Sequence, residues 1–136
     1  MISLIILTYI FIALAAITNA GMDKTETEIS YNTSIFSKWN PLYWSKVAGS
    51  ENAKLKGTKY PWNAWHNFKT GMVTFLGLAM ICFGLEFYLN PNSLFDLIHP
   101  QRFRIFLFIA FHLAFVATVW IQTFNLFYNH IFKLKK

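Results

Sequence analysis

Three long apolar runs divide the chain, and each is long enough to form a membrane-spanning helix. The runs occupy residues 2–20, 61–89 and 100–132. At a rise of about 1.5 Å per residue, roughly 20 residues cross a hydrocarbon core of about 30 Å. The pattern therefore predicts an all-α integral membrane protein with three transmembrane helices, in which the second and third spans form an antiparallel hairpin.

The first run allows two interpretations. Residues 2–20 carry no charge, and Thr18 and Ala20 would suit the small-residue cleavage site of a secretory signal peptide. A signal peptide usually has a basic start and a shorter apolar region, whereas the first basic residue of this chain is Lys24. We favour a retained helix over a cleaved signal peptide.

Polar residues concentrate between the first and second runs. Residues 21–60 begin with acidic side chains and continue with lysines, and Asn40-Pro41 is typical of a helix start. This loop is expected to form short helices on the membrane surface, with a flexible tether as the alternative. Tryptophan and lysine favour the headgroup level. The predicted interfacial anchors are Trp39, Trp44, Trp62, Trp65 and Lys69.

The basic residues predict an orientation. The first loop together with Lys69 holds seven lysines, and the tail 133–136 holds three. The side that carries the short link 90–99 has only Arg102 and Arg104. By the positive-inside rule, the first loop and the C-terminus are cytoplasmic and the N-terminus lies outside.

Composition agrees with a lipid-embedded chain. Hydrophobic residues make up 55% of the sequence and charged residues 13%, about half the usual charged share. A net charge of +6 would also suit nucleic acid, but the basic residues lie at the edges of the apolar runs. The expected partners are therefore the lipid bilayer and other membrane helices, and not nucleic acid.

Small residues recur at helical spacing in the second and third runs. Such stripes let membrane helices approach each other closely. We expect both stripes to pack against other helices, in a homo-oligomer or in another membrane protein. The helix-packing residues predicted in this way are Thr70, Thr74, Gly77, Gly84, Ala110, Ala114 and Thr118.

Two features of the spans involve polar or ionisable side chains. Glu86 and Arg104 lie at similar depth near the outer ends of spans two and three, so an ion pair that sets their register is expected. His112 and Gln122 are intramembrane polar residues. For His112 a structural hydrogen bond is favoured, and a proton or ligand role is the alternative.

His66 and His130 are the histidines that the predicted topology could bring to one interface. A bis-histidine metal or haem site would use this pair, whereas hydrogen bonding to headgroups or backbone is the favoured interpretation. Cys82 is the only cysteine, and no nucleophile–base set or phosphate-binding loop is present. We therefore expect no catalytic residues, no cofactor and no enzymatic activity.

One motif carries a resemblance. Asn63-Ala64-Trp65-His66-Asn67-Phe68-Lys69 resembles the D-[AG]-W-H-x-F-K/Q motif of small uncharacterised membrane proteins from Bacteroidetes and their phages. The upstream stretch SIFSKWNPLYW extends the similarity, which covers residues 34–80. Asn63 stands where those proteins often carry Asp. The resemblance implies a bacterial inner membrane, or the host membrane of a phage protein, and implies no activity.

The predicted architecture is also similar to that of class I phage holins, which have three spans and a short basic tail. Holins oligomerise and form membrane lesions, but the first loop here is long for a holin. The function expected from the sequence is therefore a non-catalytic accessory or assembly subunit. A holin-like lesion protein is the alternative, and a histidine-based metal or haem subunit is a further one.

Overall fold

The computed structural model describes residues 4–46, 63–89 and 102–134, with the side chains of residues 41, 42, 87, 102–109 and 111 left out. These ranges are helical, apart from short connections and an isolated antiparallel bridge. The elements are α1 Leu4–Glu26, α2 Glu28–Asn32, a 3₁₀ helix Ile35–Lys38, α3 Pro41–Trp44, α4 Ala64–Leu89, α5 Arg102–Leu126 and a π-helix Phe127–Ile131.

The all-α prediction is confirmed. Among the described residues, the helices Leu4–Glu26 and Ala64–Glu86 are long and apolar enough to cross a membrane. Predicted span two corresponds to α4, which begins at the first described residues of that span. Predicted span three corresponds to α5 followed by the π-helix. Trp62 and the link 90–99 lie outside the described residues.

The first helix packs between the other two. Small side chains on α1 make this position possible, because they let two neighbouring helices approach it closely. The alanines of α1 that have no exposed surface are Ala15, Ala16 and Ala20. Helix α1, for which a signal peptide is the alternative interpretation, therefore lies at the centre of the fold.

Ring and side-chain contacts set the direction of each neighbour. Phe11 of α1 stacks on Phe75 of α4 with centroids 6.3 Å apart, and Thr18 lies against Gly71 further along. Residue numbers rise along α1 as they fall along α4, so these two helices are antiparallel. Helix α5 runs parallel to α1, with Tyr9 near His112 at one end and Lys24 over Tyr128 at the other.

Helix α1 continues past Ala20, the expected end of the first span, to Glu26. Glycine usually weakens a helix interior, but Gly21 here lies directly beneath the ring of Phe68. The Thr25 hydroxyl, fully buried, donates to the Gly21 carbonyl oxygen at 3.1 Å. Packing on α4 therefore extends the helix beyond the apolar run.

The loop after α1 folds into short helices, and Phe36 is its packing centre. Phe36 is 3% exposed and stacks on Trp44 at 5.0 Å, with Phe68 and Phe132 at 5.8 Å and 5.1 Å. Tyr31 donates from its hydroxyl to the Trp39 carbonyl oxygen at 3.1 Å, and burial raises the pKa of that hydroxyl. One aromatic cluster thus joins the loop to the ends of α4 and the π-helix.

The contact between Gly21 and Phe68 yields a stability prediction. A Cβ added at Gly21 would lie 2.7 Å from Phe68 Cε1, so Gly21→Ala forces the ring or the helix to move. We expect a loss of about 1–3 kcal/mol, measured as a lower thermal unfolding midpoint in mild detergent.

Gly84→Ala is the matched control for this substitution. A Cβ at Gly84 would meet no described atom within 4 Å, and alanine raises helix propensity. Its midpoint should equal or exceed that of the wild type. Equal destabilisation by the two substitutions would contradict the close packing at Gly21.

Candidate functional site

The first residue of the W-H motif caps helix α4. The Asn63 Oδ1 atom accepts a hydrogen bond from the backbone N–H of His66 at 3.0 Å, which is the usual bond of an N-cap residue. The same oxygen lies 2.8 Å from His66 Nδ1, so Nδ1 carries the donated proton. Asn63 is fully buried, and the cap therefore sets both the helix start and the orientation of the histidine ring.

Two lysines approach the ring of Trp65. Lys46 Nζ lies 4.0 Å from the ring centroid and Lys69 Nζ lies 5.1 Å from it. Lys46 also forms an ion pair of 2.8 Å with Glu26 at the end of α1. Both partners of that pair are partly exposed, so the pair contributes little by itself. Together these contacts join the start of α4 to α1 and to the loop.

The motif is polar on one side and apolar on the other. Asn67 donates from Nδ2 to the Tyr43 hydroxyl at 2.8 Å, whereas Phe68 enters the aromatic cluster. Two buried donors of the motif, Asn63 Nδ2 and Trp65 Nε1, have no hydrogen-bond acceptor among the described residues. The motif acts as an anchor that joins the loop, α1 and α4.

The predicted interfacial anchors that the structure describes occupy this same end of the molecule. Trp44 stacks on Phe36, and Trp39 contacts Trp44 at 4.6 Å while remaining 47% exposed. Trp65 and Lys69 contact each other, as described above. The rings form a connected aromatic layer at one end of the helices.

His66 and His130 have different surroundings. His66 bonds to Asn63 and packs edge-on against Trp65 at 4.8 Å, while His130 is exposed in a groove with Asn32 and Lys133. Among the described residues there is no group of three or more His, Cys, Asp or Glu that could hold a metal ion. The two histidines line different pockets, His130 the groove with Lys133 and His66 a pocket with Lys69 and Thr70.

The predicted packing residues of α4 and α5 are mostly exposed in the described part of the chain. We call them the small-residue faces. Their members with exposed surfaces are Thr70, Thr74, Gly84, Ala110, Ala114 and Thr118. A Cβ added at Gly77 would meet no described atom within 4 Å.

His112 meets both other long helices inside the bundle. Its Nδ1 atom lies 2.7 Å from the Tyr9 hydroxyl of α1, and its ring stacks on Phe83 of α4 at 4.6 Å. Tyr9 also packs edge-on against Phe115 at 4.7 Å. The Tyr9 hydroxyl donates when Nδ1 is the unprotonated nitrogen of a neutral imidazole. This contact agrees with the structural interpretation of His112.

Tyr9 is a site residue that the sequence patterns did not identify. The sequence predicts a structural hydrogen bond for His112 without indicating its partner, and Gln122, the other predicted intramembrane polar residue, is exposed. A tyrosine within an apolar run is itself a signal, because a buried hydroxyl usually finds a partner. Glu86 is half-buried, but the side chain of Arg104 is outside the described set, so their ion pair stays a prediction.

The Asn63 cap leads to a pair of opposed expectations. Asn63→Ala removes the acceptor of two hydrogen bonds and should lose about 1 kcal/mol. Asn63→Asp keeps the acceptor of both bonds and places a negative charge at a helix start, but it buries a carboxylate whose second oxygen has no described donor. Its thermal midpoint in detergent should therefore lie above that of Asn63→Ala. A midpoint for Asn63→Asp as low as that of Asn63→Ala would contradict this geometry.

The contact of Tyr9 with His112 predicts energetic coupling. Tyr9→Phe leaves Nδ1 of His112 without its donor and should lose about 0.5–1.5 kcal/mol. The double variant Tyr9→Phe with His112→Phe replaces both polar partners and keeps the ring against Phe83. Thermal unfolding should show that the double variant loses less stability than the sum of the losses of the two single variants. Additive losses would show that the hydrogen bond does not couple the two helices.

The polar side chains described above cap a helix, pair across helices or are exposed. Comparison of the chain with protein-family models, with curated proteins and with solved structures finds no match. The functional argument therefore rests on the geometry of the molecule.

Proposed function

We propose that the chain is a non-catalytic integral membrane protein that acts as an accessory or assembly subunit. In this proposal α1, α4 and α5 all cross the bilayer, and α4 and α5 are consecutive antiparallel spans. The small-residue faces then pack against helices of a second copy or of another membrane protein. The resemblance of the W-H motif to small membrane proteins is consistent with this role.

The exposed apolar surface of α4 carries the proposal. Val73, Met80 and Ile81 are 59%, 75% and 58% exposed although they lie in the middle of a 26-residue apolar helix. A core helix of a soluble domain would bury such residues, because large exposed apolar patches are rare on soluble monomers. Lipid tails or another membrane helix would cover this surface without cost to solubility.

The composition of the exposed face distinguishes packing from mere lipid contact. A helix that only meets lipid gains nothing from glycine, whereas a helix partner gains close backbone approach. The α4 face presents two glycines and two threonines to the outside. Thr118 on the α5 face bonds its own Ala114 carbonyl oxygen at 2.8 Å, which keeps its hydroxyl satisfied in an apolar setting.

The proposal includes an orientation of the helices relative to the two sides of the membrane. The aromatic layer and the five described lysines lie at the end that contains the start of α4 and the π-helix, so the positive-inside rule favours a cytoplasmic location for that end. The N-terminus then lies on the outer side of a bacterial inner membrane or of the host membrane of a phage protein.

Gly77→Leu tests the packing role. A Cβ added at Gly77 meets no described atom within 4 Å, so the fold should be kept while the larger leucine side chain blocks close approach of a partner helix. We expect association to weaken at least about tenfold, which is ~1.4 kcal/mol. Mass measurement of the purified complex in mild detergent and in lipid nanodiscs would detect the change and show whether the partner is a second copy.

Met80→Phe is the control, because Met80 is 75% exposed but lies about 80° around the helix from the centre of the α4 face. Its association should match that of the wild type. A wild-type chain that is monomeric and purifies without a stoichiometric partner would refute the packing role.

The holin-like alternative predicts a different phenotype. A membrane lesion dissipates the ion gradient, so induced expression would abruptly collapse the membrane potential. We expect growth and potential to be maintained, since the α4 face offers too few polar groups to line a water-filled opening. A potential-sensitive dye followed during induction distinguishes the two roles.

A further inference from the structure

The C-terminal segment pairs through its backbone with the loop that follows α1. After the π-helix, Leu134 N–H donates to the Thr33 carbonyl oxygen at 2.9 Å, and Ile35 N–H donates to the Phe132 carbonyl oxygen at 2.9 Å. These two bonds form the antiparallel bridge between Ser34 and Lys133. The bridge holds the C-terminal segment against the end of α2.

A groove lies beside this bridge. Its lining combines amide, hydroxyl, imidazole and ammonium groups with two aliphatic side chains, and it contains no acidic residue. The residues that line it are Asn32, Thr33, Asn129, His130, Ile131, Lys133 and Leu134. The groove thus offers hydrogen-bond donors and positive charge, which are the groups that recognise a phosphate.

The π-helix shapes one wall of the groove. Phe132 N–H donates to the Phe127 carbonyl oxygen at 2.7 Å, five residues earlier, so this turn is wider than an α-helical turn. Such turns are rare and often occur at functional sites. Here the wide turn carries Asn129 and His130, whose side chains are exposed to the groove.

Two lysines place positive charge in and near the groove. Lys24 at the end of α1 is 6% exposed, and its Nζ lies 3.7 Å from the centroid of the Tyr128 ring. Lys24 and Lys133 are close enough for their charges to repel each other. Within the described residues neither lysine has a carboxylate at ion-pair distance. A bound anion would offset this repulsion.

We propose that the groove binds the phosphate of an anionic phospholipid, with Lys133 supplying charge and Asn32, Asn129 and His130 supplying hydrogen bonds. This lipid site goes beyond the packing role. Basic pockets beside membrane helices are suited to anionic headgroups. The groove lies at the same end of the molecule as the aromatic layer, at the level of headgroups.

A lipid fits this position better than a free anion because apolar surface continues from the groove. Ile131 lines the groove and is 44% exposed. Leu126, five residues earlier in the chain, is 50% exposed. An acyl chain can lie on these side chains while its phosphate stays in the polar part. A soluble phosphate would gain only the polar contacts.

Native mass spectrometry of the delipidated full chain in detergent tests the site. The probes are phosphatidylglycerol and phosphatidylcholine with identical acyl chains, titrated separately. We expect the wild type to bind phosphatidylglycerol at least tenfold more tightly. Lys133→Gln should reduce this preference to threefold or less, and Asn129→Asp, which is isosteric but negatively charged, should reduce it similarly.

Lys38→Gln is the matched control. Lys38 is an exposed lysine of the 3₁₀ helix at the same end of the molecule and does not line the groove. This variant should keep the full preference. Equal losses for Lys38→Gln and Lys133→Gln would overturn the groove as a site, because they would indicate a diffuse charge effect.

Competition with inorganic phosphate separates the two sources of the anion. We expect millimolar phosphate to leave phosphatidylglycerol bound, since the acyl chain adds apolar contact. If inorganic phosphate displaced all of the phosphatidylglycerol and bound with the same affinity as the lipid, the assignment of the groove to a lipid would be wrong. Absence of any preference in the wild type would overturn the site itself. Neither failure bears on the association measured with Gly77→Leu.

Discussion

Close approach of α1 to α4 is the constraint on which the rest of the structure depends. Gly21 leaves room for the ring of Phe68, and that ring in turn contacts Phe36 of the loop. Because membrane helices gain no hydrophobic stabilisation from leaving lipid, van der Waals fit of this kind drives their association. The packing on α4 also extends α1 to Glu26, which brings that carboxylate to Lys46. A single small residue thus positions both the helices and the loop.

The two ends of the helices are organised by different physics. Near the start of α4, aromatic rings, lysines and a capped helix start form an amphipathic layer that has both apolar and wet surfaces. Near the other end, Tyr9 and His112 satisfy each other inside an apolar bundle, where an unpaired polar group is costly. The polar groups near the start of α4 can exchange a protein partner for water, whereas those inside the bundle cannot. The surroundings at each end therefore account for which polar groups pair and which face outward.

Periodicity and composition predicted the helices and the small-residue faces, but not which helix would be central. The run 2–20 is apolar all round, so its pattern does not show that two neighbours cover it. The pairing of Tyr9 with His112 joins residues 103 positions apart, and no local signal carries that information. The stacking of Lys46 on Trp65 was missed for the same reason. The cap at Asn63, by contrast, depends on residues three apart and lies within a motif that the sequence displayed.

The central position of α1 also bears on how the chain can be made. The ribosome releases α1 first, and this helix then presents its small-residue surface before either neighbour has been synthesised. Helix α4 can dock on α1 once it has been synthesised, and α5 can then pack against α1 through Tyr9 and against α4 through Phe83. Each later helix therefore meets a surface that an earlier part of the chain already supplies.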